Sequence, residues 1–247
     1  MITNNLIIPD WPAPKNIKAL STTRHGGFSL SPYDQLNLGT HVGDDKLVVR
    51  KNRQHLTQLA NLPESPRWLE QVHGTHIINS RDWQADIKAD AVFSQHANHV
   101  CPVMTADCLP LLLCNQQGDT VAAIHVGWRG LAAGIIEKTL DLFSCNHADI
   151  LAWLGPAIGP TQFEVGQEVY DECVSSGLDA TNAFIKTDEQ HYHADIYSLA
   201  RQRLQGNNVD KIFGGDLCTV SDEERFFSYR RDGITGRMAS MIWISDK

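Results

Sequence analysis

The sequence has no long apolar run, no basic tract and no low-complexity linker, and each absence excludes a class of function. No stretch approaches the ~18 apolar residues of a membrane-spanning helix. The opening MITNNLIIPDWPAPKNIKAL lacks the basic start and apolar core of a secretory signal, so the expectation is a cytoplasmic protein with no membrane partner. Lysine and arginine number 21 against 29 aspartate and glutamate, giving a formal charge of −8 with no basic cluster beyond Arg230-Arg231. A surface of that sign repels nucleic acid on average and leaves room only for a local basic pocket. Six cysteines in 247 residues are too sparse for a disulfide scaffold, so each is read as a thiol that fills a core, attacks a substrate or binds a metal. No G-x-x-x-x-G-K-[ST] loop and no H-E-x-x-H helix occurs, and Gly127, Gly130 and Gly134 of GWRGLAAG miss the G-x-G-x-x-G spacing. Common nucleotide triphosphatases, metalloproteases and dinucleotide binders lose support accordingly.

What is present is enough apolar residue, 42% of the chain, to bury most of the unfolded surface in one core. No composition shift divides the sequence, so residues 1–247 are read as a single domain. Residues 17–23 predict a strand leading into the glycine-bearing loop RHGGFSLSPYDQLNLG, and 46–60 predict a helix. Short β-type runs follow from Arg67 to Val126: RWLEQV, THIIN, DAVFS, VCPVM, PLLLC and TVAAIHV. The segment LLLCNQQGDTVAAIHV reads as a hairpin turned near Gln116–Gly118. GWRGLAAGIIEKTLDLF predicts one helix covering the sheet, ILAWLG a strand, VGQEVYDECVSS and DIYSLARQRLQ helices, and RFFSYRRDGITGRMASMIWIS a closing hairpin at Asp232-Gly233. Interspersed helices and hairpins point to an α+β layered domain with mixed sheets.

Three segments place a potential metal ligand at the edge of a β-type run: QVHG (71–74), TADC (105–108) and IHVGW (124–128). Their separations are too wide for a zinc-finger loop but suit a site assembled from neighbouring strands, and the hairpin brings Cys108 and His125 close together. Two imidazoles and a thiolate suit zinc, and also copper, with one tetrahedral position left for substrate. The same residues also permit a metal-free reading, in which Cys108 is a nucleophile and His73 or His125 its base. Asp107 fits either scheme, as a proton carrier or as a partner that orients an imidazole. Pro110 argues that strand pairing is interrupted, or at an edge, beside this position. Arg24 beside Gly26-Gly27, Arg129 at a predicted helix start and the Arg230-Arg231 pair are candidates to hold an anion. Cys101, Cys114 and Cys173 are read as core filler, with Cys145 and Cys218 little different. The remaining histidines, His41 among them, receive no role.

QVHG (71–74), MTADCLP (104–110), HVGWRG (125–130), WLGPAIGP (153–160), FEVG (163–166) and FFSYRRD (226–232), in this order, resemble the bacterial YfiH-like proteins, also called the laccase-domain or multicopper polyphenol oxidase family. The resemblance runs essentially from Leu6 to Ile244. It implies a four-layer α/β/β/α domain and a metal site on His73, Cys108 and His125. Several reactions are associated with the family: polyphenol oxidation, zinc-dependent purine nucleoside phosphorolysis with adenosine deamination, and amidase editing of peptidoglycan precursors. A laccase needs several copper ions and many histidines, and a single three-ligand site ranks that chemistry last. The leading expectation is a zinc-dependent purine nucleoside phosphorylase and adenosine deaminase. In it His73, Cys108 and His125 hold the metal, Asp107 handles protons, and Arg24, Asn37, Gln71, Arg129 and Arg230 line a pocket for nucleoside and phosphate. A Cys108-nucleophile amidase stands second and a non-catalytic metal-binding protein third. The expected partner is a small molecule, and the expected assembly a monomer or weak homo-oligomer.

Overall fold

The computed structural model describes residues 5–179 and 181–246. Its strands are β1 (Leu6–Ile7), β2 (Ile17–Thr22), β3 (Ile77–Asn79), β4 (Ala91–Ser94), β5 (Cys101–Thr105), β6 (Leu109–Asn115) and β7 (Val121–Val126) in the first part of the chain. They continue with β8 (Ile150–Leu154), β9 (Glu164–Gly166), β10 (Phe184–Lys186), β11 (His191–Ala194), β12 (Lys211–Gly214) and β13 (Met238–Ile244). The helices are α1 (Lys46–Leu59), α2 (Trp128–Ala132), α3 (Ile135–Leu140), α4 (Gln167–Ser175), α5 (Ile196–Gly206) and α6 (Tyr229–Asp232). A six-stranded mixed sheet runs in the order β12-β8-β6-β7-β4-β3, a four-stranded sheet in the order β1-β2-β13-β5, and a small third sheet in the order β10-β11-β9.

Side-chain alternation along β6 explains the layering. Leu109, Leu111 and Leu113 pack with α2, α3 and α5, whereas Leu112 and Cys114 face Cys101, Val103 and Ile242 of the four-stranded sheet. The other face of that second sheet, through Leu20, Met104, Met241 and Trp243, closes on Leu56 of α1 and on Leu36 and Leu38. Four layers result, α/β/β/α. A strand covered on both faces must be apolar at every position, which is why LPLLLC shows no polar alternation. Each fully buried leucine contributes about 1.5–3 kcal/mol of burial.

The β6–β7 hairpin pairs Pro110 with His125 and Leu109 with Val126, so Cys108 leaves the sheet beside the end of β7. Pro110 lies in a central strand, but the β6–β8 ladder begins only at Leu111, and the Pro110 carbonyl accepts from Gly155 N just past the end of β8. The missing N–H therefore falls where that ladder has stopped.

Three expectations are corrected. The helix read across GWRGLAAGIIEKTLDLF is broken into α2 and α3 by Gly134, whose φ of +82° costs little without a Cβ. RWLEQV makes no strand, only an isolated bridge from Glu70 to Lys88. The closing hairpin is absent as well: Phe226 and Phe227 are fully buried against Ala106 and Met238 in a loop, α6 follows, and β13 inserts between β2 and β5. The apolar pair that mimicked a strand is core filler. No helix among the described residues is long and apolar enough to cross a membrane.

Candidate metal and active site

The chain passes from the four-stranded sheet to the six-stranded sheet between Thr105 at the end of β5 and Leu109 at the start of β6. Cys108 sits on this crossover. Asp107 turns it with a φ of +96°. Its Oδ1 accepts from the Thr219 hydroxyl at 2.6 Å, its Oδ2 from Arg230 N at 2.6 Å, and its carbonyl from Ile158 N at 2.9 Å. Both carboxylate oxygens are thus engaged in fixing loops around Cys108, and neither is hydrogen-bonded to a histidine.

That second task belongs to Asp90, which the sequence reading passed over. Asp90 is fully buried just before β4 and receives His125 Nδ1 at 2.8 Å on Oδ1. Its carboxylate also accepts the backbone N–H groups of Val72 at 3.3 Å, His73 at 2.9 Å and Gly74 at 2.7 Å, while its carbonyl takes His125 N at 2.7 Å. One carboxylate therefore orients the imidazole of β7 and holds the turn carrying His73, whose own φ is +59°. Nδ1 donation leaves Nε2 as the ligand atom of His125. The only hint in the sequence was an acidic residue opening the apolar run DAVFS.

The three candidate ligand atoms lie within 4.8 Å of one another. Cys108 Sγ is 3.9 Å from His73 Nε2, and the two imidazoles meet edge to face, with centroids 4.7 Å apart. Burial alone would raise the Cys108 thiol, but the His125 charge and hydrogen bonds from both histidines overcome it and hold the thiol down at about 6. His125 goes the other way. Burial disfavours its cation, yet the Cys108 thiolate and Asp90 raise it to about 9. Burial likewise works against the Asp90 carboxylate, and the His125 and backbone donors bring it below its ordinary range.

The donor set fits a thiophilic, imidazole-binding ion, a class that includes zinc and copper. Gly127 gives the same indication. A Cβ there would stand 3.0 Å from His73 Cδ2 and 3.5 Å from Cys108 Sγ, so the absent side chain leaves the space that brings the three ligands together.

Two cavities meet over this floor, sharing His73, Ala106, Cys108 and Tyr229. One, of about 340 Å³, is completed by His41, Gln71, Met104, Thr105, His125 and Arg237. The other, of about 310 Å³, is completed by Asp107, Trp128, Arg129, Ile158, Phe163, Ile196 and Arg230. Both are near the lower end of the ~300–1,000 Å³ of small-molecule sites. Arg129 is exposed over the Trp128 ring at 4.3 Å and has no protein acceptor among the described residues. Arg230 donates to the Gln162 and Glu164 carbonyls at 3.2 and 2.9 Å. Gln71 lines the first cavity with both amide ends bonded to the Met104 backbone, at 2.8 and 2.7 Å.

Two expected pocket residues lie elsewhere. Arg24 lines a separate cavity with His25, Asp34 and Arg231, where its guanidinium binds the Asp34 carbonyl at 2.8 Å and stacks on Phe227 at 4.8 Å. Asn37 is fully buried and lines neither lobe; its Oδ1 holds the backbone N–H groups of Gly39 and Arg237 at 2.9 and 3.0 Å. An arginine beside a glycine turn is a signal that anion sites and ion pairs share. His41, Tyr229 and Arg237, which do line the cleft, come from segments with no motif of their own, although Tyr229 falls within FFSYRRD.

The chain matches the family model described as multi-copper polyphenol oxidoreductase laccase over residues 18–245. It is 54% identical over 242 residues to the Escherichia coli protein named purine nucleoside phosphorylase YfiH, covering 98% of this chain and 99% of that one. A Haemophilus influenzae protein named purine nucleoside phosphorylase is 47% identical, over 96% of this chain and 98% of its own length. Among solved structures, a Neisseria meningitidis protein superposes with a TM-score of 0.93 at 45% identity, covering 98% of this chain and all of that one.

Proposed function

The chain belongs to the multi-copper polyphenol oxidoreductase laccase family, and from that membership we propose that it is a zinc-dependent purine nucleoside phosphorylase that also deaminates adenosine. The observation that carries this reading is the convergence of His73, Cys108 and His125 beneath a two-lobed cleft of small-molecule size. The names of the relatives point to the same substrate class.

The base occupies the lobe of Trp128, Phe163, Ile158 and Ile196, where flat apolar walls suit a purine face. Arg129, free to donate, meets the negative charge that gathers on the purine as its bond to ribose breaks. Tyr229, shared by both lobes, stands over the sugar. His73, Cys108 and His125 would hold the metal, and zinc, when bound, supplies Lewis-acid chemistry there. Asp107 acts as a positioning residue, since its two oxygens already fix Thr219 and Arg230. The described residues bring together a single group of three metal-ligating side chains, short of the several copper centres a laccase requires.

One observation favours a second reading. The lowered Cys108 thiol beside a raised His125, itself oriented by Asp90, is the arrangement of a cysteine nucleophile, and an amidase would use it without metal. Incubating zinc-loaded protein with inosine and phosphate, and separately with adenosine, tests the two readings. Ribose 1-phosphate with free base from the first and inosine from the second support the proposal. Neither product, or a covalent adduct on Cys108 with chelation-resistant amide cleavage, overturns it.

A further inference from the structure

The two lobes differ in their linings, one free of acidic side chains and the other walled by Trp128, Ile158, Phe163 and Ile196 around Asp107, and the difference bears on the second substrate. The lobe opposite Trp128 and Phe163 contains Arg237 and His41. Arg237 is held at three points by one short segment: Asn37 Oδ1 accepts its N–H at 3.0 Å, its carbonyl accepts from Leu38 N at 3.2 Å, and its stem runs where a Cβ on Gly39 would stand 2.8 Å from Cγ. Nη1 binds the Thr235 and Gly236 carbonyls, each at 3.0 Å. Nε and Nη2 have no protein acceptor among the described residues. A guanidinium fixed at its base with half of its fork unused is prepared for a ligand oxyanion.

His41 lines this lobe together with Arg237. Burial, followed by the positive charges of Arg237, Arg53 and His73, pushes its imidazole below the ordinary range, against the opposing charge of Glu70. Arg53 lies in the adjoining cavity, which shares His41 and Met104 with this one. The lobe of Arg237 and His41 has no acidic side chain in its lining, whereas the Trp128 lobe sets Asp107 beside Arg129 and Arg230 among apolar walls.

We propose that Arg237 and His41 form an oxyanion subsite that takes inorganic phosphate, across the His73–Cys108–His125 floor from the purine lobe. The assignment rests on the phosphorolytic reading and deepens it. Displacement at C1′ needs nucleophile and leaving group on opposite faces of the sugar, and two lobes meeting over the floor provide that separation. A phosphate oxygen forms the bond to C1′ while the C1′–N9 bond breaks. The electron pair stays on the purine, which takes the proton of hydrogen phosphate, and ribose 1-phosphate and free base result. Asn37 and Gly39 serve by positioning Arg237.

The test measures inorganic phosphate binding by calorimetry, and KM for phosphate and for inosine, in the zinc-loaded protein and in Arg237→Met, Arg237→Lys, His41→Asn and Arg129→Met. Arg237→Met should weaken phosphate by about 10- to 100-fold and His41→Asn by several-fold, with KM for inosine within about twofold. Arg237→Lys should fall between, keeping charge but losing the fork. Arg129→Met should show the reverse pattern. If Arg237→Met does not fold, Arg237→Lys and His41→Asn decide the matter. A parent protein that does not bind phosphate, or a phosphate affinity indifferent to Arg237 and lost only with Arg129, overturns the subsite. Phosphate binding that follows Arg237 without any turnover keeps the subsite and defeats the phosphorolytic reading; turnover with an unchanged phosphate KM in the Arg237 variants does the opposite.

Discussion

The floor of the cleft and its walls are built in different ways. On the floor, buried carboxylates fix the His125 imidazole and the backbone that carries the other two ligands: Asp90 holds His125 and the His73 turn, and Asp107 holds the Cys108 crossover. On the walls, Arg129, His41 and Tyr229 are exposed, and their polar atoms are largely unspent on the protein. Catalytic constellations need such support to hold their geometry, while groups that recognise a substrate must keep hydrogen bonds in reserve for it. Loss of a floor partner should therefore damage metal binding and stability together, whereas loss of one of these three exposed wall residues should change substrate affinity alone.

Asp90→Asn should produce the largest effect. The amide cannot accept all of the donors that converge there, so metal affinity should fall by about 10- to 100-fold, with a stability loss of about 3–5 kcal/mol if the buried imidazole loses its charged partner. Chelator competition and thermal unfolding read these two outcomes separately. Unchanged metal affinity in a folded variant would remove Asp90 from the floor.

Trp128→Ala comes next. Loss of one base-stacking surface, worth about 1–3 kcal/mol, should raise the KM for nucleoside about tenfold or more with kcat little changed. A fall in kcat at constant KM would instead move Trp128 into the chemistry.

The metal-free protein supplies a pH test of the floor. Cys108 is depressed to about 6, so its share of stability is complete above the ordinary thiol range near 9 and lost as pH falls through about 6. His125 is raised to about 9, so its share is complete below 6.5 and lost as pH rises through about 9. The two shares describe one ion pair and do not add. Thiolate absorbance of metal-free protein should therefore titrate near pH 6, and His125→Asn should move that transition upward; a transition left in place would mean that His125 does not govern the thiolate.

Arg24→Ala should have the smallest effect. With its guanidinium bound to Asp34 and Phe227 in another cavity, kcat/KM should stay within about twofold while stability falls by about 1 kcal/mol. A large rise in a substrate KM would bring Arg24 back to the site.

Much of this was legible in the sequence, for identifiable reasons. The β6–β7 hairpin and the layers around it follow from unbroken apolar runs divided by a polar turn, and that hairpin already placed Cys108 near His125. His73 could be joined to them only through the resemblance, because its position depends on a turn wrapped around Asp90, a long-range contact that no local pattern encodes. Arg237 and His41 were hidden for the same reason: the 37–39 segment and the start of β13 meet through tertiary packing, where Asn37 holds the Arg237 backbone. Phe226 and Phe227 misled because burial by a loop and burial by a strand leave the same apolar signature.

If three distant segments build one metal centre, turnover must depend on that metal. The decisive experiment measures zinc content and nucleoside turnover together on protein purified without added metal, then after chelation and after zinc is restored, with Cys108→Ala alongside. About one zinc per chain is expected, with activity that disappears and returns with the metal, and neither metal nor activity in Cys108→Ala. Full turnover in the chelated protein, or stoichiometric zinc retained by Cys108→Ala, would contradict it.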